Sequence, residues 1–143
     1  MSVKQLSVFL ENRPGTLSEF TGILAQNNVN MRALSLADTY DFGIARIITD
    51  DPEKAAEIVR ANSYVVNVSD VTVVEVSDSA GSLDRILKIL GENGVNIEYM
   101  YGFTGKKTDS AYMIIRPTDV ASAEPVLEKA GIHIVKSGDI SSL

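Results

Sequence analysis

Two loops of the sequence carry residues that can bind an anion. ENRPGTL occupies residues 11–17, and its counterpart SDSAGSL occupies residues 77–83. Pro14 suits the first turn of a helix, because its missing amide would have no partner there. Gly15 lacks a Cβ, so a ligand can approach the backbone closely. The amides that follow would be helix-start donors without an intrahelical acceptor, which favour a carboxylate or a phosphate.

Both loops also have interpretations that need no ligand. Thr16 and Glu19 match a capping box, in which their side chains satisfy the first amides of the helix. The second loop has a cluster of hydroxyls at Ser77, Ser79 and Ser82, without a base at a spacing that would activate them. The residue pattern alone leaves the anion-binding and structural interpretations open.

Other residues with chemical potential favour structural roles. His133 is the only histidine and the chain has no cysteine, so a structural role is expected for it rather than a metal site. The segment GFTGKKT, residues 102–108, partly matches a phosphate loop. However, Met100 and Lys107 stand where that loop requires glycine and Ser or Thr. A β-hairpin turn is therefore predicted for this segment, and no cofactor is predicted for the chain.

Composition excludes several classes of function. The net charge of the 143 residues is −6 with no basic block, so neither nucleic acid nor an anionic membrane is an expected partner. The lack of cysteine excludes disulfides and a cysteine nucleophile. The N-terminus is too short and polar for a signal peptide, and no apolar run reaches the roughly 18 residues that span a bilayer. A cytoplasmic location is expected.

The chain is an internal repeat with an offset of 66 residues. The matching pairs are Gly15/Gly81, Leu17/Leu83, Leu24/Leu90, Asn27/Asn93, Val29/Val95 and Asn30/Asn96. Past the middle the offset becomes 68, which predicts a longer turn in the second copy. Two units of 65 to 70 residues fill the chain, so we place the repeats at 1–70 and 71–143.

Hydrophobic periodicity predicts the same order of elements in both copies. Alternation indicates strands and a spacing of three to four residues indicates helices. The first copy reads as strands 5–10, 29–37, 43–49 and 63–68, with helices around Leu17–Leu24 and after Asp51. The second reads as strands 71–76, 95–103, 110–116 and 132–136 with helices 81–92 and 120–130. Each copy is thus βαββαβ, the ferredoxin-like arrangement of an α+β fold, with both helices on one face of an antiparallel sheet.

Several predicted strands are apolar on both faces. Met100 lies between Tyr99 and Tyr101, and Ile47 is followed by Ile48. A sheet covered on one side only should alternate apolar and polar residues. We therefore expect the two antiparallel sheets to pack together and the protein to form a homodimer.

The segment ENRPGTLSEFTGILAQNNVNM resembles the opening of an ACT domain and is similar to the regulatory domain of phosphoglycerate dehydrogenase. The residues of the first copy that match this pattern are Asn12, Pro14, Gly15, Leu17, Val29 and Asn30. The second copy matches through Gly81, Leu83, Val95, Asn96 and Ile97, with Asp78 in place of the asparagine and Ala80 in place of the proline. Together the two copies extend the resemblance over nearly the whole chain.

The resemblance implies a non-catalytic regulatory module that binds an amino acid at interfaces between ACT units. The ligand-binding residues it implies in the first repeat are Asn12, Arg13, Gly15, Thr16, Leu17, Asn30 and Met31. Those in the second repeat are Asp78, Gly81, Ser82, Leu83, Asn96 and Ile97. Helix-start amides would receive the carboxylate of the ligand, and the side-chain oxygens of Asn12, Asn30 or Asp78 would accept from its ammonium group.

Other interpretations of these residues remain open. Asn12 and Asn30 also suit turns and caps, and Asp78 suits an N-cap or an Asx turn. The protein could be a structural dimerisation module, or a subunit of an enzyme of amino-acid metabolism, because the ferredoxin-like fold hosts many activities. Against catalysis stand the missing cysteine, the single histidine and the lack of a paired acid–base signature. The sequence does not identify the enzyme that such a module would regulate.

Overall fold

The computed structural model describes residues 2–38 and 41–143 of the chain. The chain forms two compact units. One is Lys4–Ser69, and the other is Asp70–Leu143 together with the N-terminal residues up to Val3. Each unit contains one copy of the sequence repeat.

The first repeat has the predicted order of strands and helices. Its elements are β1 (Val3–Glu11), α1 (Thr16–Gln26), β2 (Met31–Asp38), β3 (Phe42–Thr49), α2 (Pro52–Ala61) and the start of β4 (Val66–Ser77). Strand β3 lies between β1 and β2 and is antiparallel to both. The side chain of Asp51 caps α2 by accepting from the Lys54 amide at 3.1 Å, as the Asp-Asp-Pro signal predicts.

The second repeat follows the same order and ends in an additional short helix. Its elements are the rest of β4, α3 (Ser82–Glu92), β5 (Ile97–Phe103), β6 (Ser110–Pro117), α4 (Val120–Lys129), β7 (Ile134–Val135) and a 3-10 helix (Ser137–Ser142). Strand β4 pairs with both β6 and β7, and β5 pairs with β6, all antiparallel.

One face of each sheet packs against the two helices of its repeat. The buried contacts in the first repeat join strand residues to both helices through Leu6, Val8, Ile47, Phe20, Leu24 and Val59. The corresponding contacts in the second repeat are made by Val74, Val76, Ile115, Ile86, Leu90 and Leu127. The apolar residues that alternate along the strands meet those that recur every three to four residues along the helices in these cores. This confirms the predicted ferredoxin-like repeats.

The junction of the two copies differs from the prediction. The sequence predicts strands at 63–68 and 71–76, whereas the structure has one continuous strand, β4. The segment VVNVSDVTVVEV is rich in β-branched residues and lacks Pro and Gly, so nothing interrupts the extended backbone. The last strand is shorter than predicted, with only Ile134–Val135. The predicted turn DTYDF includes Thr39 and Tyr40, which lie outside the described residues.

Candidate functional site

The first loop presents the start of α1 without a side-chain cap. Gly15 is the N-cap residue, with a left-handed backbone at φ 84°, and the helix start has no side-chain cap in the described part of the chain. The capping-box prediction is therefore wrong. The hydroxyl of Thr16 instead donates to the Arg13 carbonyl at 2.9 Å, and the Glu19 amide donates to the Gly15 carbonyl at 3.0 Å. The first turn keeps backbone N–H groups that can donate hydrogen bonds to a carboxylate or phosphate.

A small hollow of about 70 Å³ lies beside this loop. Four predicted residues line it, namely Asn12, Arg13, Thr16 and Leu17. The prediction missed Leu36 and Asp38 of β2, which also line the hollow. Asp38 pairs with Gly43 across the sheet, and Gly43 in turn pairs with Leu10 of β1. The strand register, rather than any motif, brings a carboxylate to the hollow.

The second loop repeats the uncapped helix start. Gly81 is the N-cap of α3 at φ 90°, again without a side-chain cap. An N-cap role for Asp78 is thus wrong; its amide donates to the Asp109 carbonyl at 2.8 Å. The hydroxyls of Ser77, Ser79 and Ser82 lie 2.6 to 3.0 Å from one another and form a closed triangle. The serines are brought together by the loop itself, and Leu83 packs against the core below.

An ion pair at the start of β2 includes one of the predicted residues, Asn30, in its hydrogen bonds. The side-chain Nδ2 of Asn30 donates to Asp50 Oδ2 at 2.9 Å, and Arg32 Nε donates to Asp50 Oδ1 at 2.6 Å. The Arg32 guanidinium lowers the pKa of Asp50; burial opposes this effect, and Asn30 adds to it. Met31 packs against the first core. The side-chain NH₂ group of Asn30 therefore already donates a hydrogen bond within the repeat.

The start of β5 has a neutral version of this arrangement. The side-chain Nδ2 of Asn96 donates to Thr118 Oγ1 at 3.1 Å. The backbone amide of Thr118 donates back to the backbone carbonyl of Asn96 at 3.0 Å. Ile97 is half-buried and packs against the second core. The second repeat thus replaces the Asp50 carboxylate with a hydroxyl at the equivalent place.

Each repeat holds its loop and its strand start at opposite ends of the sheet. Asn12 follows Glu11, which pairs with Phe42, whereas Asn30 precedes Met31, which pairs with Thr49. Phe42 and Thr49 are seven residues apart along β3, about 23 Å at the usual rise per residue. Ser77 and Ile97 pair with Ser110 and Pro117 and give the same separation in the second repeat. One repeat therefore does not bring the two predicted halves of a site together.

The second repeat also contains a groove of about 710 Å³ beside the start of α3. It is lined by Ser77, Ser82 and Arg85, by Lys106–Ser110 of the β5–β6 turn, and by Glu75 and His133, among others. Among the residues predicted to bind ligand, only Ser82 lines it. The signal for this groove was present in the longer second turn, in which Lys107 stands where the phosphate-loop pattern requires Ser or Thr.

A hydrogen-bonded carboxylate lies within this groove. Glu75 Oε1 accepts from Lys107 Nζ at 2.9 Å and from Ser110 Oγ at 3.0 Å. The Lys107 ammonium lowers the pKa of Glu75; burial opposes the effect, and Ser110 and the charge of His133 add to it. Strands flank the lysine-bearing segment on both sides, which confirms that it is a hairpin turn.

No helix in the described parts of the chain has the length and apolarity needed to cross a membrane. Within residues 2–38 and 41–143, no group of three or more His, Asp or Glu side chains is placed to hold a metal ion.

Comparison with known proteins assigns the family. Residues 1–143 match the family described as the ACT domain pair. A protein from Bacteroides thetaiotaomicron, known from its crystal structure, is 38% identical, with a TM-score of 0.93 over 100% of this chain and 98% of that chain. The regulatory subunit of aspartate kinase from Thermus thermophilus, in its ligand-free form, has the same fold. Its TM-score is 0.66 at 12% identity, over 90% of this chain and 92% of that chain.

The corresponding subunit from Thermus flavus is similar, with a TM-score of 0.65 at 14% identity over 92% of this chain and 94% of that chain. The duplicated βαββαβ order and the two glycine-started helices agree with the family match over the full length. This chain belongs to the ACT domain family, and it carries two ACT repeats in tandem.

Proposed function

We propose that the protein is a non-catalytic regulatory sensor that binds an amino acid at interfaces between ACT units. The observation that supports this most directly is the uncapped helix start, which occurs twice. Gly15 and Gly81 both begin a helix in the left-handed conformation without a side-chain cap. Two copies of the same donor arrangement, each beside a polar residue at the position of Asn12 or Asp78, suit a ligand with a carboxylate and an ammonium group.

Each ligand would contact the loop of one ACT unit and the strand start of another. Within one repeat Asn12 and Asn30 lie beyond strand positions that are about 23 Å apart along β3, at the usual rise of a strand. A small amino acid cannot span that distance. We therefore assign Asn12, Arg13, Gly15, Thr16 and Leu17 to one side of a shared site and Asn30 and Met31 to the other. In the second repeat, Asp78, Gly81, Ser82 and Leu83 form one side, and Asn96 and Ile97 form the other.

A homodimer is the assembly we propose for this sensor. Phe9 and Phe42 of the first repeat are 41% and 43% exposed, with ring centroids 6.1 Å apart. Leu34 and Leu36 of β2 are 40% and 51% exposed. Exposed apolar side chains in one repeat are typical of surfaces that bind another chain. A ligand with a higher affinity for one arrangement of the units would favour that arrangement over the other. The change in arrangement would regulate a partner enzyme in the cytoplasm.

Two relatives of this fold are named as regulatory subunits of aspartate kinase, in agreement with a regulatory role. Their identity to this chain is below 15%, so the fold is what they share with it. The two repeats, which we assign to residues 1–70 and 71–143, would each supply one set of ligand contacts.

The test is a thermal-shift measurement with each of the twenty amino acids, followed by calorimetric titration of those that stabilise the protein. A ligand at 100 times its dissociation constant adds about 2.7 kcal/mol to the free energy of unfolding. The Asn12→Ala variant should bind more weakly, and Asn67→Ala, an exposed asparagine in β4, serves as the matched control.

Two outcomes would count against the proposal. If no amino acid raises the melting temperature, the structural dimerisation module becomes the better explanation. Full affinity in both Asn12→Ala and Asp78→Ala would show that neither of these side chains contacts the ligand. Light scattering of the wild type and of a Phe42→Ser variant tests the homodimer, which the substitution should weaken.

A further inference from the structure

Three cationic side chains line the groove of the second repeat, although the chain as a whole carries a net charge of −6. They are Arg85, Lys106 and Lys107, and the carboxylates that line the same groove are Glu75 and Asp109. The charge of Glu75 is compensated locally, because Lys107 donates to it at 2.9 Å. The groove therefore has an excess of positive charge, which attracts anions.

Arg85 and Lys106 keep donors that a ligand can use. Arg85 donates from one terminal nitrogen to the Ala130 carbonyl at 3.2 Å, which engages one of its five N–H groups. Lys106 is exposed and forms no ion pair with any residue in the described part of the chain. A guanidinium and an ammonium that line one groove match the oxygen atoms of a carboxylate or phosphate.

The position of Arg85 in the second repeat carries the opposite charge in the first repeat. Glu19 is the counterpart of Arg85, and the equivalence is visible in the backbone. The Glu19 amide donates to the Gly15 carbonyl and the Arg85 amide to the Gly81 carbonyl, both at 3.0 Å. A negative side chain in the first repeat thus stands where the second repeat has a positive one.

A neighbouring pair of residues also differs in polarity between the two repeats. The Phe9 amide donates to the Val65 carbonyl, and the Glu75 amide donates to the His133 carbonyl, both at 3.1 Å. The apolar pair Phe9 and Val65 therefore corresponds to the polar pair Glu75 and His133. The second repeat thus places polar groups in its groove where the first repeat has an apolar pair.

We infer that the groove of the second repeat binds a small metabolite through its carboxylate or phosphate oxygens, with Arg85 and Lys106 as the contacting residues. The groove volume of about 710 Å³ suits a small molecule. The groove adjoins the proposed amino-acid site at Ser82, but its contacting residues, Arg85 and Lys106, are not among those assigned to that site. It also makes the repeats unequal, because the first repeat carries Glu19 at the place of Arg85.

The experiment titrates the full chain by calorimetry with succinate and, separately, with inorganic phosphate. Arg85→Gln and Lys106→Gln should each weaken binding about tenfold, the loss expected for one charge-assisted hydrogen bond. Lys54→Gln, which removes an exposed lysine of α2 in the first repeat, is the charge-matched control and should bind like the wild type. Binding should weaken as sodium chloride is raised, because exposed charges are screened by salt.

The two probes distinguish the sources of the oxyanion. Binding of succinate alone assigns a carboxylate ligand, and binding of phosphate alone assigns a phosphorylated one. The inference is overturned if neither probe binds at millimolar concentration, or if Lys54→Gln weakens binding as much as Arg85→Gln. Asn12→Ala should bind both probes normally, so failure of the amino-acid proposal would leave this result unchanged.

Discussion

Glu75 of β4 accepts a 2.9 Å hydrogen bond from Lys107, which belongs to the turn between β5 and β6. The contact joins the central strand of the second repeat to the turn that differs most between the two copies. Ser110 donates to the same carboxylate oxygen at 3.0 Å. Lys107 is mostly exposed while Glu75 is only 21% exposed, so the carboxylate is the group whose protonation affects stability.

Glu75 should give the protein an acid-dependent loss of stability. Its pKa is lowered below the usual value of 4.5, so the ionised form stabilises the folded state above that pH. This contribution is lost as the pH falls through the lowered pKa. We expect Glu75→Gln to reduce the free energy of unfolding by about 1 kcal/mol at pH 7 and by less at pH 3, by urea denaturation. Asp84→Asn, in an exposed pair with Lys88, should change little; parallel pH profiles for Glu75→Gln and the wild type would contradict the prediction.

The glycines that start the helices should resist substitution for a conformational reason. A Cβ at Gly15 would meet no heavy atom within 4 Å among the described residues, yet φ is 84°. Gly15→Ala should therefore cost about 1–2 kcal/mol through backbone strain alone. Gly22→Ala is the control. It also has open space but lies inside α1, so it should stabilise the protein by about 0.5–1 kcal/mol. Thermal denaturation of both variants measures the difference, and equal melting temperatures would contradict it.

The network at Asp50 should stabilise the first repeat. Asp50→Ala removes the acceptor of Arg32 and of Asn30 at once. We expect a loss of about 1–2 kcal/mol in the free energy of unfolding at pH 7, measured by chemical denaturation. Glu57→Ala, an exposed acidic residue in α2, is the control for the change in net charge. Equal stability of the two variants would mean that the network contributes nothing net.

Gly105 should be required for the shape of the lysine-bearing turn. A Cβ there would lie 2.7 Å from Cε2 of Tyr112, which is only 2% exposed and stacks on Phe103 with ring centroids 5.2 Å apart. Since the buried ring has little room to move, Gly105→Ala should cost about 1–3 kcal/mol in urea denaturation. Gly138→Ala has open space around the added carbon and should be nearly neutral. A neutral Gly105→Ala would show that the turn adjusts freely.

The repeats and their elements could be predicted from the sequence because local signals agree with the tertiary contacts. Leu6, Val8 and Leu10 alternate on one face of β1, and Asp51 with Pro52 marks the start of α2. These signals depend on near neighbours in the chain. The capping box failed since Gly15, rather than Thr16, takes the N-cap position, and a side-chain pattern does not reveal a left-handed glycine.

The site was less predictable because it depends on contacts between distant residues. Asp38 reaches the hollow beside Asn12 through the register of three strands, and Lys107 meets Glu75 from 32 residues away. Neither contact leaves a periodic signal. The opposite placement of Asn12 and Asn30 follows from the parallel course of β1 and β2, and it could have been worked out from the predicted topology.

The serine triangle has a consequence for the kind of atom it can hold. Three hydroxyls possess three hydrogens, and a ring in which Ser77, Ser79 and Ser82 each donate to the next would use all three between its own members. Only lone pairs then point outward, so the ring can receive an ammonium or amide hydrogen but must open before it can donate to an anion. The groove thus offers acceptors at Ser77 and Ser82 and donors at Arg85 and Lys106, a polarity that would orient a zwitterion bound there.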